Sequence, residues 1–233
     1  FAVLVAVSAI LPKIMRLDRT QASAYAMLTV FANIGYMGIP LVSELFGNSA
    51  LLYVSVYILL FNILIYTYGV MIVQRGNSQS LQNKFSFRKF INPGVISSII
   101  AVTLYLLRVE LPEIITAPLG YLSNLNSPIG MLIIGASLAN VKMRSFLTDY
   151  KLIGFSVFRL LILPILICLP LKLIIGGGEL LNVSIVMMCT PVASMTVMMA
   201  QQYGGDYTLL SKGVALTSLL CIGTIPLVFA VLL

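Results

Sequence analysis

"ANIGYMGIP", Ala32–Pro40, sets an Asn, two Gly and a Pro inside a run otherwise apolar enough to cross a bilayer. In hydrocarbon, every backbone group released by a Pro or an unwound turn needs a partner within the protein. A broken span therefore survives only where it is buried or lines a cavity. The surrounding run, Thr20 to Ser43, carries no charge, so the stretch predicts a membrane helix interrupted near its middle.

The rest of the chain fits that reading. Of 233 residues 60% are hydrophobic and 9% charged, with a mean hydropathy of +1.06, which excludes an ordinary soluble domain. A span needs roughly 20 mostly apolar residues. Uncharged stretches at 45–74, 90–107, 114–141, 180–205 and 213–233 reach or approach that length, and 152–175 does so while holding Arg159 and Lys172. Phe1–Leu11 is apolar but short, and reads as the tail of a helix that begins further upstream. The expectation is an all-α polytopic membrane protein with about eight membrane segments.

Lys13, Arg16, Arg19, Arg75, Lys84, Arg88, Lys89, Lys142, Arg144, Lys151 and Lys212 fall in alternate connections. The others hold only Arg108 and Lys172 among Glu44, Glu110, Glu113 and Glu179. The positive-inside rule makes the first set cytoplasmic. The net charge of +7 is thus a topology signal and a contact with anionic lipid headgroups, and it predicts no nucleic-acid partner. The chain has no His, the commonest general base and metal ligand. Cys168, Cys189 and Cys221 lie within spans, where a disulfide framework has no role. No enzyme activity, cofactor or metal is expected.

The polar stretch "RGNSQSLQNKFSFRK", Arg75–Lys89, lacks apolar periodicity and divides the chain into 1–74, a cytoplasmic linker at 75–91, and 92–233. The second part holds five spans. Tandem five-span repeats must be inverted relative to each other, because five is odd. A second interruption, "CTPVAS" at Cys189–Ser194, falls near the middle of its own span. Aligning the halves on Phe46-Gly47 and Tyr203-Gly204 brings Asn33 onto Thr190. Two uncharged hydrogen-bonding side chains at matched depth suit a polar group held between them, and half-helix N-termini favour a carboxylate there. Gly35, Gly38, Pro40 and Pro191 are the candidate breakers of the two crossing helices. Arg159 stands about 12 Å beyond Lys151 along its helix. An intramembrane Arg is a functional candidate by default, here as counter-charge to an anion, against the alternatives of snorkelling or of bonding to a neighbouring helix's carbonyls. Asn92 before Pro93 reads as a helix cap and, secondarily, as a substrate contact.

"FANIGYMGIPL" (31–41), "LFG" (45–47), "NPGVIS" (92–97), "SPIGMLIIGASLA" (127–139), "FRLLILP" (158–164) and "TPVASMTVMMAQQYGGD" (190–206) together resemble the auxin efflux carrier family. That family includes the plant PIN auxin transporters and bacterial permeases for small carboxylates. The resemblance covers essentially the whole chain. It implies ten spans in two inverted five-helix repeats whose fourth and ninth helices cross at their breaks, with the Asn of the first break touching the substrate carboxylate, a role that passes to Asn33. The run "CTPVAS" departs from the plant pattern, so the substrate's identity does not carry over. The expected function is a secondary transporter of small organic anions in the cell membrane, working by alternating access, with a gated anion channel as the alternative. Membrane lipids are the expected partners, and a homodimer is compatible with this reading.

Overall fold

A computed structural model describes residues 1–76, 93–109, 111–139 and 149–232. These residues are mostly helical. α1 (Ala2–Ile14) and α2 (Arg19–Val30) are joined by a tight connection, and the Asp18 carboxylate caps α2 by accepting the Gln21 N–H at 2.7 Å. A π turn (Ile34–Gly38) then leads into α3 (Ile39–Phe46). Residues 48–76 form one continuous helix in three pieces: α4 (Leu51–Leu64), a π turn at Ile65–Gly69 and α5 (Val70–Gly76). α6 (Pro93–Leu106) and α7 (Glu113–Ala139) follow, and α8 (Tyr150–Val157) runs through a third π turn, Phe158–Ile162, into α9 (Leu163–Ile175). The chain ends with α10 (Glu179–Cys189), α11 (Met195–Tyr203) and α12 (Tyr207–Leu232).

Three helices, 48–76, 150–175 and 207–232, are long and apolar enough to cross a membrane; 2–14, 34–46 and 179–189 are shorter apolar helices. Among the described residues, the helices that lead into the two breaks, α2 and α10, are the most buried. Ser23–Val30 of α2 and Val183–Cys189 of α10 are buried at every position, which is what an apolar helix with no polar stripe requires of its surroundings. α2 packs against α1, α5 and α12, and α10 against α9, α12 and α3. Two half-helices thus occupy the centre while long helices surround them. In α7 the apolar Ile114 and Leu132 are 83% and 73% exposed, as expected of a surface facing lipid.

The centre is tight because small residues let backbones approach. A Cβ on Gly213 of α12 would stand 2.5 Å from Leu28 Cδ2. Leu28 itself is fully buried, so its side chain can yield only by repacking among its neighbours. Gly213→Val is expected to cost about 1–3 kcal/mol by overpacking and to lower the thermal midpoint by about 3–10 °C. Gly223→Ala on the same helix meets nothing within 4 Å and is expected to leave the midpoint in place, so the pair separates overpacking from a general dislike of substitution in α12.

Glycine at two further positions closes helices. Gly47 (φ +78°) ends α3 and Gly204 (φ +79°) ends α11, the positive-φ conformation that follows a helix C-terminus. The aromatic-Gly pairs are therefore chain terminators of the two outgoing half-helices.

Candidate functional site

Between α2 and the first π turn, Phe31–Asn33 leave helical geometry, and between α10 and α11 so do Thr190–Ala193. The two extended stretches run antiparallel and pair. The Asn33 N–H donates to the Pro191 carbonyl at 2.7 Å and the Ala193 N–H donates to the Phe31 carbonyl at 3.0 Å, with Ala32 opposite Val192. This single rung of sheet is how the freed backbone finds partners in a dry interior. The Val192 N–H goes to Thr217 Oγ1 on α12 at 3.2 Å, while the Thr217 hydroxyl donates to the Gly213 carbonyl at 2.7 Å. Pro191 has no N–H and needs no partner.

The rung is locally two-fold symmetric, and its symmetry relates Asn33 to Ala193. It does not relate Asn33 to Thr190, onto which the alignment by aromatic-Gly pairs brings it; the stretch between break and closing glycine is longer after the first break than after the second. The Thr190 hydroxyl donates to the Met187 carbonyl at 2.8 Å, capping the end of α10.

The Asn33 side chain sits at the start of the first π turn, buried at 3% exposure. Its Oδ1 accepts the Tyr36 N–H at 3.3 Å, which fixes the amide's orientation and leaves Nδ2, also buried, without a partner. Ser194 has the corresponding place at the start of α11, and its Oγ is likewise buried and unpartnered. Both outgoing half-helices therefore begin with a free donor beside a positive helix end. An unmet buried donor costs about 1–3 kcal/mol. Sequence reading passed over Ser194, although it closes the quoted "CTPVAS", because Pro191 and Thr190 drew the interruption upstream.

Gly35 and Gly38 lie within the π turn and Pro40 in the first turn of α3, where its missing N–H is harmless. These residues shape the restart of the helix, and the extended residues precede them. A Cβ on Gly38 would meet Met187 Sδ at 2.9 Å, whereas Gly35 faces open space. Phe31 anchors the first break: its ring meets Phe61 edge-on at 5.6 Å and lies over Gly69, where a Cβ would come within 3.3 Å of the ring.

A cavity of about 200 Å³ adjoins the crossing. Its walls include Val30, Ala32, Ile34, Met187 and Met188, and its polar features are the Tyr57 hydroxyl and Ser184 Oγ, bonded to each other at 2.7 Å. Arg159 lies in the third π turn, fully buried, and its Nη1 donates to the Met188 carbonyl at 2.9 Å near the end of α10. Pro164 follows that turn; a Pro frees the carbonyl four residues earlier and removes its own donor, a recognised cause of local widening of a helix. Asn92 lies outside the described residues.

The profile of the membrane transport protein family matches residues 1–229, nearly the whole chain. The chain belongs to that family. An uncharacterized transporter of Methanocaldococcus jannaschii is 25% identical over 211 residues, covering 88% of this chain and 67% of the relative. The auxin efflux carrier resemblance drawn from the motifs and the family match agree, and a multi-pass membrane transporter accounts for the apolar helices.

Proposed function

We propose that this family member is a secondary transporter of small organic anions, carboxylates first among them, working by alternating access around the paired breaks. The observation that carries the reading is the buried, unpartnered Asn33 Nδ2 at the crossing. Nδ2, with Ser194 Oγ across the rung, offers hydrogen bonds to a carboxylate at a buried position, where charge-assisted bonds are strong. Thr190, Pro191 and the Gly35–Gly38–Pro40 restart hold the crossing in shape. The adjoining cavity of about 200 Å³ limits the cargo to a small acid and suits an apolar or short carbon body. Arg159 biases the interior towards anions, and Asn92 is a further contact for the cargo.

In the same reading the chain contributes about eight membrane segments, one half at 1–74 and the other at 92–233, related as inverted repeats and joined by a cytoplasmic linker, in the cell membrane. With an inside-negative potential, export of an anion is favoured by roughly 2.3 kcal/mol per charge per 100 mV.

The test is flux of labelled small carboxylates in proteoliposomes of the full-length protein. Saturable uptake that Asn33→Ala weakens is the expected result, with Thr190→Ala having a smaller effect because the Thr190 proton is already engaged. Flux that rises linearly with concentration would identify a gated anion channel instead.

A further inference from the structure

Arg159 is the largest fully buried side chain among the described residues, and its bonding is incomplete. A guanidinium carries five N–H donors and stays protonated. Here the one hydrogen bond runs from Nη1 to a neutral carbonyl, while Nε and Nη2 are buried with no partner. No carboxylate meets it among the described residues. A helix-capping role would need only the Met188 bond and would leave a nearly bare cation in a low-dielectric interior, a cost of several kcal/mol. The π turn that carries Arg159 packs against α12, where Ser218 Oγ and Thr224 Oγ1 are also buried and unpartnered. The cavity beside the crossing does not include Arg159 among its walls.

We propose that Arg159 holds a small monovalent anion of its own, at a place separate from the Asn33 and Ser194 donors. Nε and Nη2 supply two adjacent N–H groups of a planar fork, the arrangement that accepts a halide or one carboxylate. The bound anion neutralises the buried cation and leaves Nη1 free to hold the end of α10. The site stands or falls independently of what the crossing transports.

The experiment measures the thermal midpoint of the purified protein at constant ionic strength in sodium gluconate, sodium chloride and sodium acetate. Anion binding to the folded state alone raises the midpoint. The expected result is a saturable rise of about 5 °C in chloride or acetate over gluconate; the chloride rise is retained by Asn33→Ala and lost in Arg159→Gln, whereas the acetate rise is reduced in either variant because acetate also meets the crossing donors. A rise with acetate alone supports the site, and makes its occupant a carboxylate, only where part of it persists in Asn33→Ala and falls in Arg159→Gln; a rise with chloride makes it a halide site. No rise in the unsubstituted protein, an undiminished rise in Arg159→Gln, or loss of the rise in Asn33→Ala overturns the proposal. Should Arg159→Gln fail to fold, equilibrium binding of radiolabelled chloride and acetate to the unsubstituted protein and to Asn33→Ala decides: saturable binding that survives in Asn33→Ala supports the site, and its absence removes it. Because Asn33→Ala is expected to weaken uptake yet keep the chloride midpoint shift, failure of the transport reading and failure of this one give different patterns.

Discussion

Ala193→Pro is expected to unfold the crossing. The substitution deletes the N–H that the Phe31 carbonyl accepts at 3.0 Å, and the Phe31 side chain is itself fully buried, so the carbonyl has no water to turn to. Leaving it unmet in a dry interior costs about 3 kcal/mol, equivalent to a fall of about 10 °C in the thermal midpoint for a chain of this size. Transport should disappear with it, since the half-helices lose one of the two bonds that hold their ends in register. Ala193→Ser keeps the N–H and serves as control. A proline variant that melts within 2 °C of the parent and transports normally would show that the rung is dispensable.

Asn33→Asp is expected to abolish carboxylate transport while keeping the hydrogen bond from the Tyr36 N–H. An Asp can still accept the Tyr36 N–H as Asn33 Oδ1 does, and a negative charge at the start of a helical turn is favourable, which offsets part of the cost of burying a carboxylate at a position only 3% exposed; the thermal midpoint read beside transport separates loss of fold from loss of cargo binding. What changes is the unpartnered group: a donor amide becomes an acceptor carboxylate facing an anionic cargo. Asn33→Ala removes the donor without adding repulsion. Loss of a hydrogen bond to a charged group is worth about 1.5–3 kcal/mol, which predicts a rise of about 10- to 150-fold in KM measured in proteoliposomes. An Asp variant with parental KM would remove Asn33 from the site.

How far the sequence alone leads depends on what kind of partner each residue finds. The interruption at Ala32–Pro40 and its mate at Cys189–Ser194 were legible because Asn, Gly and Pro are conspicuous in an apolar run. Yet Pro12, Pro118, Pro128, Pro170 and Pro226 all lie inside continuous helices, so proline alone does not mark a break. What separates the two broken spans is that each extended stretch meets the other, a relation between residues far apart in the chain. For the same reason the alignment of Asn33 with Thr190 gave way to a local symmetry that pairs it with Ala193. Thr217, whose hydroxyl accepts the Val192 N–H, was not legible at all, since a Thr in a membrane helix ordinarily bonds back to its own preceding turn, and Thr217 does that as well. Arg159 was conspicuous for its charge, and a neighbouring helix's carbonyl was among its expected partners; that the carbonyl belongs to Met188 is something no sequence pattern names.

The rung that joins Phe31–Asn33 to Pro191–Ala193 is made of peptide groups alone. Its two bonds are indifferent to which side chains stand at 32 and 192, so long as neither of the donating positions, 33 and 193, is proline. The junction and the chemistry it displays are thus separable. A lineage of such carriers can exchange Asn33 or Ser194 for other polar groups, and so change its cargo, without redrawing the scaffold on which those groups are hung.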